Sequence, residues 1–420
     1  MRRFRVVLVV IVGIVLELLF IETALRFKLT SPWFENERYH FISDPVLHHK
    51  GLPHVTRHVR GAELRTNSLG LRGGDYPAEK DGDTFRILMV GDSVIEGGGL
   101  PLEETIPARL QALLTAAGCG RRFEVLNGGV AGYSPILEYL FVKHVGLGLH
   151  PDLVIVNFDM TDVHDDFLWT SVARFDSSGL PAAVPNNRLA ETAVLLPPAR
   201  WPRALRFLGP YERRLTGLAT YQVIRRSPVG QRLLGSVRMT PERLPRLGVV
   251  GDLRYDPMTI TRDVESPTER EAWVLTRRYL VAIRDLTWAH GVEFALVVYP
   301  MPHQVSATAS PEGRRRLGVG PGLYASERPF ENLRQLGRQA GFPVLSLLET
   351  FRARIDDAGP LFWPDDVHHT PAGSRVFAEG LLAGLRRHQL IPCSPSAPRA
   401  RQAVTYPAAP MATFSARESR

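Results

Sequence analysis

Residues 86–93 read Arg86-Ile87-Leu88-Met89-Val90-Gly91-Asp92-Ser93, an apolar run that ends in glycine, an acid and a serine. A short apolar run bounded by turn residues predicts a buried strand. Glycine lets the chain turn sharply there, so Ser93 is expected to project from the strand's carboxyl end. Far downstream stands Asp365-Asp366-Val367-His368-His369-Thr370-Pro371-Ala372-Gly373, just ahead of a helical stretch. A serine hydroxyl becomes a nucleophile when a neutral imidazole takes its proton and a carboxylate orients that imidazole. A carboxylate three residues before a histidine on a turn can bond one ring nitrogen while the other faces the serine. The expected set is therefore Ser93 as nucleophile, His368 as base and Asp365 as its orienting group, with Asp366 and His369 as the alternative register. These stretches point to acyl hydrolysis or acyl transfer.

Outward from Ser93 the chain alternates apolar strands with helical segments, the pattern of a parallel sheet covered on both faces. Strands are expected at Arg86–Val90, Phe123–Leu126, Leu153–Phe158, Glu293–Tyr299 and Val344–Leu348. Helices are expected at Glu103–Ala117, Pro135–Gly146, about Glu331–Ala340 and Ala372 to about Arg387. The second strand feeds Asn127-Gly128-Gly129-Val130-Ala131-Gly132-Tyr133-Ser134, whose glycines allow a backbone amide to approach a developing negative charge. Between strands three and four lies an insertion, about 169–268, rich in arginine: Arg200, Arg203, Arg206, Arg213, Arg214, Arg225, Arg226 and Arg232. Placed at the carboxyl ends of sheet strands, it reads as a lid, a substrate platform or a basic face against anionic headgroups or solvent.

The amino terminus carries the topological signal. Arg2, Arg3 and Arg5 precede an apolar run from Val6 to Phe20 that continues weakly to Leu25. Basic residues hold that end in the cytoplasm, so residues 1–29 are expected to form a signal anchor in the inner membrane, with a cleaved signal as the alternative. Residues 30–85 then read as a connecting arm, 86–390 as the main domain and 391–420 as a disordered tail rich in Pro, Ala, Ser and Arg.

With 420 residues, 44% hydrophobic content and a formal charge of +8, the chain is long enough for one large packed domain with a basic surface. No zinc spacing or RNA-binding signature accompanies the charge, so no nucleic-acid partner is expected. The two cysteines, Cys119 and Cys393, are too few for a disulfide framework or a thiolate metal site; a bond between them in an oxidising compartment stays open, and they are taken as structurally incidental. His48, His49, His54 and His58 lack the carboxylate spacing of a metal site. The acidic run Asp162, His164, Asp165 and Asp166 reads as a polar rim or capping cluster rather than a cation site.

Taken in order, these motifs resemble the SGNH hydrolase superfamily, the GDSL-type esterases, and especially its membrane-anchored extracytoplasmic bacterial members. The resemblance runs over most of residues 60–388, through Asn67-Ser68-Leu69-Gly70-Leu71-Arg72, Gly91-Asp92-Ser93, Asn127-Gly128-Gly129-Val130-Ala131-Gly132, Pro151-Asp152-Leu153-Val154 and the terminal Asp-x-x-His. It implies a three-layer α/β/α, flavodoxin-like fold with a parallel central sheet behind one transmembrane helix. It also implies Ser93 as nucleophile, His368 as base oriented by Asp365, and an oxyanion hole from the Ser93 and Gly132 amides. Where the family has Gly-x-Asn-Asp after strand three, this chain has Asp159-Met160-Thr161-Asp162, so Thr161 stands where the asparagine amide would complete the hole.

The function expected is a membrane-tethered ester hydrolase acting through an acyl-Ser93 intermediate on an extracytoplasmic ester, glycan or lipid, with no cofactor or metal. The runners-up are O-acyl transfer to an envelope polysaccharide and a catalytically weakened glycan-binding module.

Overall fold

The computed structural model describes residues 2–30, 41–77, 79–187, 191, 202–227, 229, 252–319 and 324–393. An amino-terminal helix, α1 (Arg2–Thr30), leads into two small antiparallel hairpins. The first pairs β1 (Phe41–Asp44) with β2 (His48–Gly51), the second β3 (Thr56–Val59) with β4 (Ala62–Arg65). The connecting arm thus carries strands that its sequence pattern does not announce. Each strand is four residues long, too short for a readable period of two.

Five parallel strands form the central sheet: β5 (Thr84–Gly91), β6 (Arg122–Gly129), β7 (Leu153–Phe158), β8 (Glu293–Val298) and β9 (Val344–Ser346), in the spatial order β9-β8-β7-β5-β6. The alternation within β5 explains the layering. Leu88 and Val90 point into one core and Ile87 and Met89 into the other. The first core is closed by α4 (Pro135–His144), α5 (Asp162–Thr170), α7 (Pro267–Ala289) and α8 (Arg328–Ala340). The second is closed by α3 (Ile106–Ala116) and α9 (Pro371–Arg387). This is the three-layer α/β/α arrangement. In chain order the sheet runs second, first, third, fourth, fifth, so its order reverses between β5 and β7, and the crevice at that reversal is where such sheets bind ligands.

Helix α7, with 23 residues, has no counterpart in the sequence reading, which assigned its first residues to the insertion. Its signal was a capping box: Ser266 accepts from the Glu269 amide and Glu269 reaches back to Ser266. Another helix of the insertion, α6 (Ala219–Arg226), holds Arg225, which is buried and paired with Glu212 at 2.8 Å. Arg200 and Arg232 lie outside the described residues, as does 394–420 of the expected disordered tail.

The tail's first residues are ordered, with Ile391 buried, and here the reading of the cysteines is corrected. Cys119 and Cys393 form a disulfide across a sequence separation of 274. Helices α3 and α9 pack side by side on one face of the sheet, which brings their distal ends together although nothing local in sequence relates them. Losing a native bridge of this kind typically costs about 2–5 kcal/mol, because the unfolded chain regains the entropy of a long loop. Reduction without denaturant is expected to lower Tm by several degrees; a melting curve unchanged by reductant, with both thiols alkylated, would contradict a structural bond.

Candidate active site

Ser93 opens a single turn of helix, α2 (Ser93–Glu96), at the carboxyl end of β5. Asp92 caps it, its carboxylate accepting from the Val94 amide at 2.9 Å. Two other motifs hold the same turn from below. The buried Arg72 guanidinium donates to the carbonyls of Glu96 and Gly97, and Asn127 Nδ2 donates to Ile95 O at 2.9 Å. Gly129 lets β6 close on this turn, since a Cβ there would stand 2.2 Å from the Glu96 nitrogen. The lead-in and the glycine-rich segment therefore serve largely as a cradle for the serine.

His368 comes from the loop before α9. Its Nε2 lies 2.8 Å from Ser93 Oγ, and its Nδ1 lies 2.5 Å from Asp366 Oδ1. With the proton on Nδ1 donated to Asp366, Nε2 accepts from the serine. The carboxylate on His368 is thus Asp366, two residues away, and not Asp365. The physical reason is Arg60, at the turn of the β3–β4 hairpin. Its guanidinium donates to both oxygens of Asp365 (3.0 and 3.1 Å) and to Asp366 Oδ2 (3.1 Å), drawing Asp365 outward toward solvent. The alternative register is also set aside: His369 is buried among Tyr299, Phe351, Phe362 and Phe377, and burial pushes its imidazole down to about 3.

Ser93, His368 and Thr161 line one cleft of about 110 Å³, together with Asp92, Asp159, Tyr299, Met301 and Val367. The oxyanion donors expected from sequence fare differently. As the first residue of α2, Ser93 has an amide with no intrahelical acceptor, free to face an oxyanion. Thr161 reaches the cleft, but its amide donates to Asp159 Oδ1 at 2.6 Å, which ties the residue to that carboxylate. Gly132 does not line the cleft. It sits on the exposed turn after β6, its carbonyl accepting from Trp169 Nε1 at 3.3 Å, next to His49, which holds the Ala131 carbonyl at 2.8 Å. The acidic run on α5 turns inward: Asp166 accepts from Ser134 Oγ (2.8 Å), the Ile136 amide (2.9 Å) and Thr276 Oγ1 (2.7 Å), tying α4 and α7 to α5. Among the described residues no cluster of His, Cys, Asp and Glu has the geometry of a metal site.

A feature missed in the sequence is the acid pair under the serine. Asp92 and Asp159 are both buried, and the Tyr299 hydroxyl lies 3.2 Å from an oxygen of each. One phenolic proton serves one carboxylate at a time. Burial and the charge of Asp159 push Asp92 up to about 7. Only the acid of the Gly91-Asp92-Ser93 tripeptide pointed to this pair; Asp159 stands where the resembling family has glycine.

Burial pulls the His368 imidazole down, but the hydrogen bond and charge of Asp366, helped by the charges of Asp92 and Asp159, raise it above its ordinary 6.5. A base must be neutral to accept a proton, so kcat/KM is expected to fall as pH drops through a midpoint above 6.5. Asp92→Asn keeps an acceptor for Val94 while removing a negative charge near the imidazole. The acid limb should then move to lower pH; a profile that overlays the wild type would show that Asp92 carries no charge the histidine feels.

No family model matches the chain, and no curated protein does. Solved structures do. LAE5, an alpha/beta hydrolase enzyme from the metagenome of Lake Arreo, Spain, is 15% identical, the match covering 73% of this chain and 96% of that one, with a TM-score of 0.35. A catalytic mutant of Axe2, an acetylxylan esterase from Geobacillus stearothermophilus, is 12% identical over 73% and 96% of the two chains, TM-score 0.36. TesA is 12% identical over 72% and 98%, TM-score 0.35.

Proposed function

We propose that the chain is a serine ester hydrolase with a membrane tether, cleaving a short-chain acyl ester on the extracytoplasmic side. The observation that carries the reading is the 2.8 Å approach of Ser93 Oγ to His368 Nε2 in an open cleft, with Asp366 behind the imidazole. Ser93 Oγ attacks the carbonyl carbon while its proton passes to His368 Nε2, and Asp366 stabilises the imidazolium. The carbonyl oxygen takes up the negative charge against the Ser93 amide. His368 returns its proton to the alcohol oxygen as the ester C–O bond breaks, leaving acyl-Ser93. Water, deprotonated by His368, then attacks the acyl carbon; the acid departs and Ser93 regains its proton. With the Thr161 amide committed to Asp159 and Gly132 outside the cleft, the oxyanion has fewer donors than a full hole. Each missing donor costs on the order of a hundredfold to a thousandfold, so modest turnover is expected.

The cleft is small and bordered by Val94, Met301 and Val367, which suits a short acyl group. Helix α1 holds a 24-residue segment, Arg5–Lys28, long and apolar enough to cross a membrane, and its apolar side chains are exposed. The Cys119–Cys393 bridge fits an oxidising compartment beyond that membrane.

A fluorophosphonate offers the test, since its phosphorus is attacked by an activated serine to leave a stable adduct. One adduct is expected, on Ser93 and lost when His368 is replaced by alanine. Labelling elsewhere, or no labelling alongside intact folding, overturns the reading. If a sugar hydroxyl supplied with the ester emerged acylated in place of free acid, the reaction would be transfer instead.

A further inference from the structure

Helix α1 does not stand apart from the insertion. Glu22, near its carboxyl end, accepts from the Ala219 amide (2.9 Å), the Thr220 amide (2.9 Å) and Thr220 Oγ1 (2.6 Å). Arg26, one turn on, donates to Gly217 O at 2.7 Å. The first amides of a helix lack intrahelical acceptors, so Glu22 acts as an amino-terminal cap for α6 supplied from a distant part of the chain. At about 1.5 Å per residue, the 16 steps from Val6 to Glu22 span about 24 Å, most of a hydrocarbon core. With α1 as the span, Glu22 and the start of α6 therefore sit about one turn short of its far boundary.

That location matches the surface around it. Among the described residues, thirteen large apolar side chains outside α1 are exposed, and seven of them fall between 205 and 229; the other six are scattered from 42 to 274. Phe207 (66%), Val229 (62%), Tyr211 (54%) and Ile224 (54%) are the most exposed of these seven, in a stretch that also carries Arg203, Arg206 and Arg214, which are themselves exposed. Apolar side chains interleaved with arginines are the composition of a segment lying in a headgroup boundary, where the rings enter the acyl edge and the guanidinia meet anionic phosphates.

We propose that residues 203–227 form an interfacial foot that lies in the headgroup layer of an anionic membrane beside α1 and fixes the orientation of the catalytic domain toward the bilayer. The proposal rests on α1 as the span and is independent of the chemistry at Ser93. The foot makes the tether short and directional: the domain is held by two contacts with the lipid and not by one flexible stalk.

The experiment uses the full chain in lipid discs of phosphatidylcholine, with or without phosphatidylglycerol, at one copy per disc. Single cysteines, Phe207→Cys, Ile224→Cys, Val264→Cys and Leu16→Cys, carry a bimane label; the native cysteines are bonded to each other and do not react. Nitroxide-bearing lipid should quench the labels at 207 and 224 about threefold or more above that at Val264, an exposed position outside the foot, with aqueous iodide giving the reverse order. Combining Arg203→Glu, Arg206→Glu and Arg214→Glu should remove about half or more of that lipid quenching in the anionic discs. Labels at 207 and 224 that respond like the one at 264 overturn the foot. Shielding from both quenchers that appears only at two copies per disc overturns it in favour of self-association. A label at Leu16 that lipid does not quench removes the span on which the foot depends, and is told apart from loss at 207 and 224 alone.

Discussion

Ser93→Ala is expected to lower kcat on a short-chain acyl ester by about 10⁵-fold to 10⁶-fold while the protein melts at the wild-type temperature. The rate effect follows from the chemistry: without Oγ there is no acyl-enzyme, and the remaining catalysis is what cleft binding and the Ser93 amide lend to direct attack by water. The stability half follows from the packing. Ser93 Oγ bonds His368 at 2.8 Å, whereas the cap of α2 is the Asp92 carboxylate, which the substitution leaves in place. A change confined to that contact is worth about 0.5 kcal/mol, against about 7 kcal/mol for five decades of rate. Instability therefore cannot imitate the expected loss. Steady-state assays beside a calorimetric melt decide the matter, and a variant that keeps a tenth of the wild-type rate would end the nucleophile assignment.

The fold was legible where one residue type repeats with one period. Leu153–Phe158 reads as a buried strand because nearly every position is apolar, and it is a strand over those same residues. Ser93 and His368 were legible because a strand-end serine and a helix-preceding histidine each stand in a local pattern that survives folding. The carboxylate was not. Asp365 and Asp366 are adjacent and chemically identical, and the choice between them is made by Arg60, 305 residues away on a two-residue turn. Arg60 and Gly61 both have positive φ (50° and 81°), as a tight hairpin requires, so the turn left a trace in the glycine but none that named its partner. The oxyanion residues fail for a related reason: the spacing places Thr161 at the cleft, yet its direction is set by Asp159, whose buried carboxylate takes the amide donor a substrate would need. Long-range polar contacts of this kind, like the Cys119–Cys393 bridge, have no periodicity to read.

Asp366→Asn and Asp365→Asn should separate cleanly, and the comparison tests the geometry behind the imidazole. In the wild type, Asp366 Oδ1 accepts a hydrogen bond from Nδ1–H and so leaves Nε2 as an acceptor. An asparagine amide at 366 can present N–H to Nδ1 instead, which moves the ring proton to Nε2, where it faces Ser93 and blocks removal of the serine proton. It also leaves the imidazolium formed during attack without its counter-charge. A fall in kcat of about 10³-fold to 10⁴-fold is expected. The acid limb of kcat/KM should drop as well, because the bond and charge of Asp366 are what raise His368 against the pull of burial. Asp365→Asn touches neither ring nitrogen. Its side chain, 37% exposed, answers only to Arg60, which keeps its bond to Asp366 Oδ2. An ion pair screened by solvent in this way contributes little, so its loss should cost under about tenfold in rate. Measured side by side, the two variants should differ by at least about a hundredfold, and a larger loss at 365 would assign the orienting role to that residue, with Asp366 as the partner of Arg60 alone.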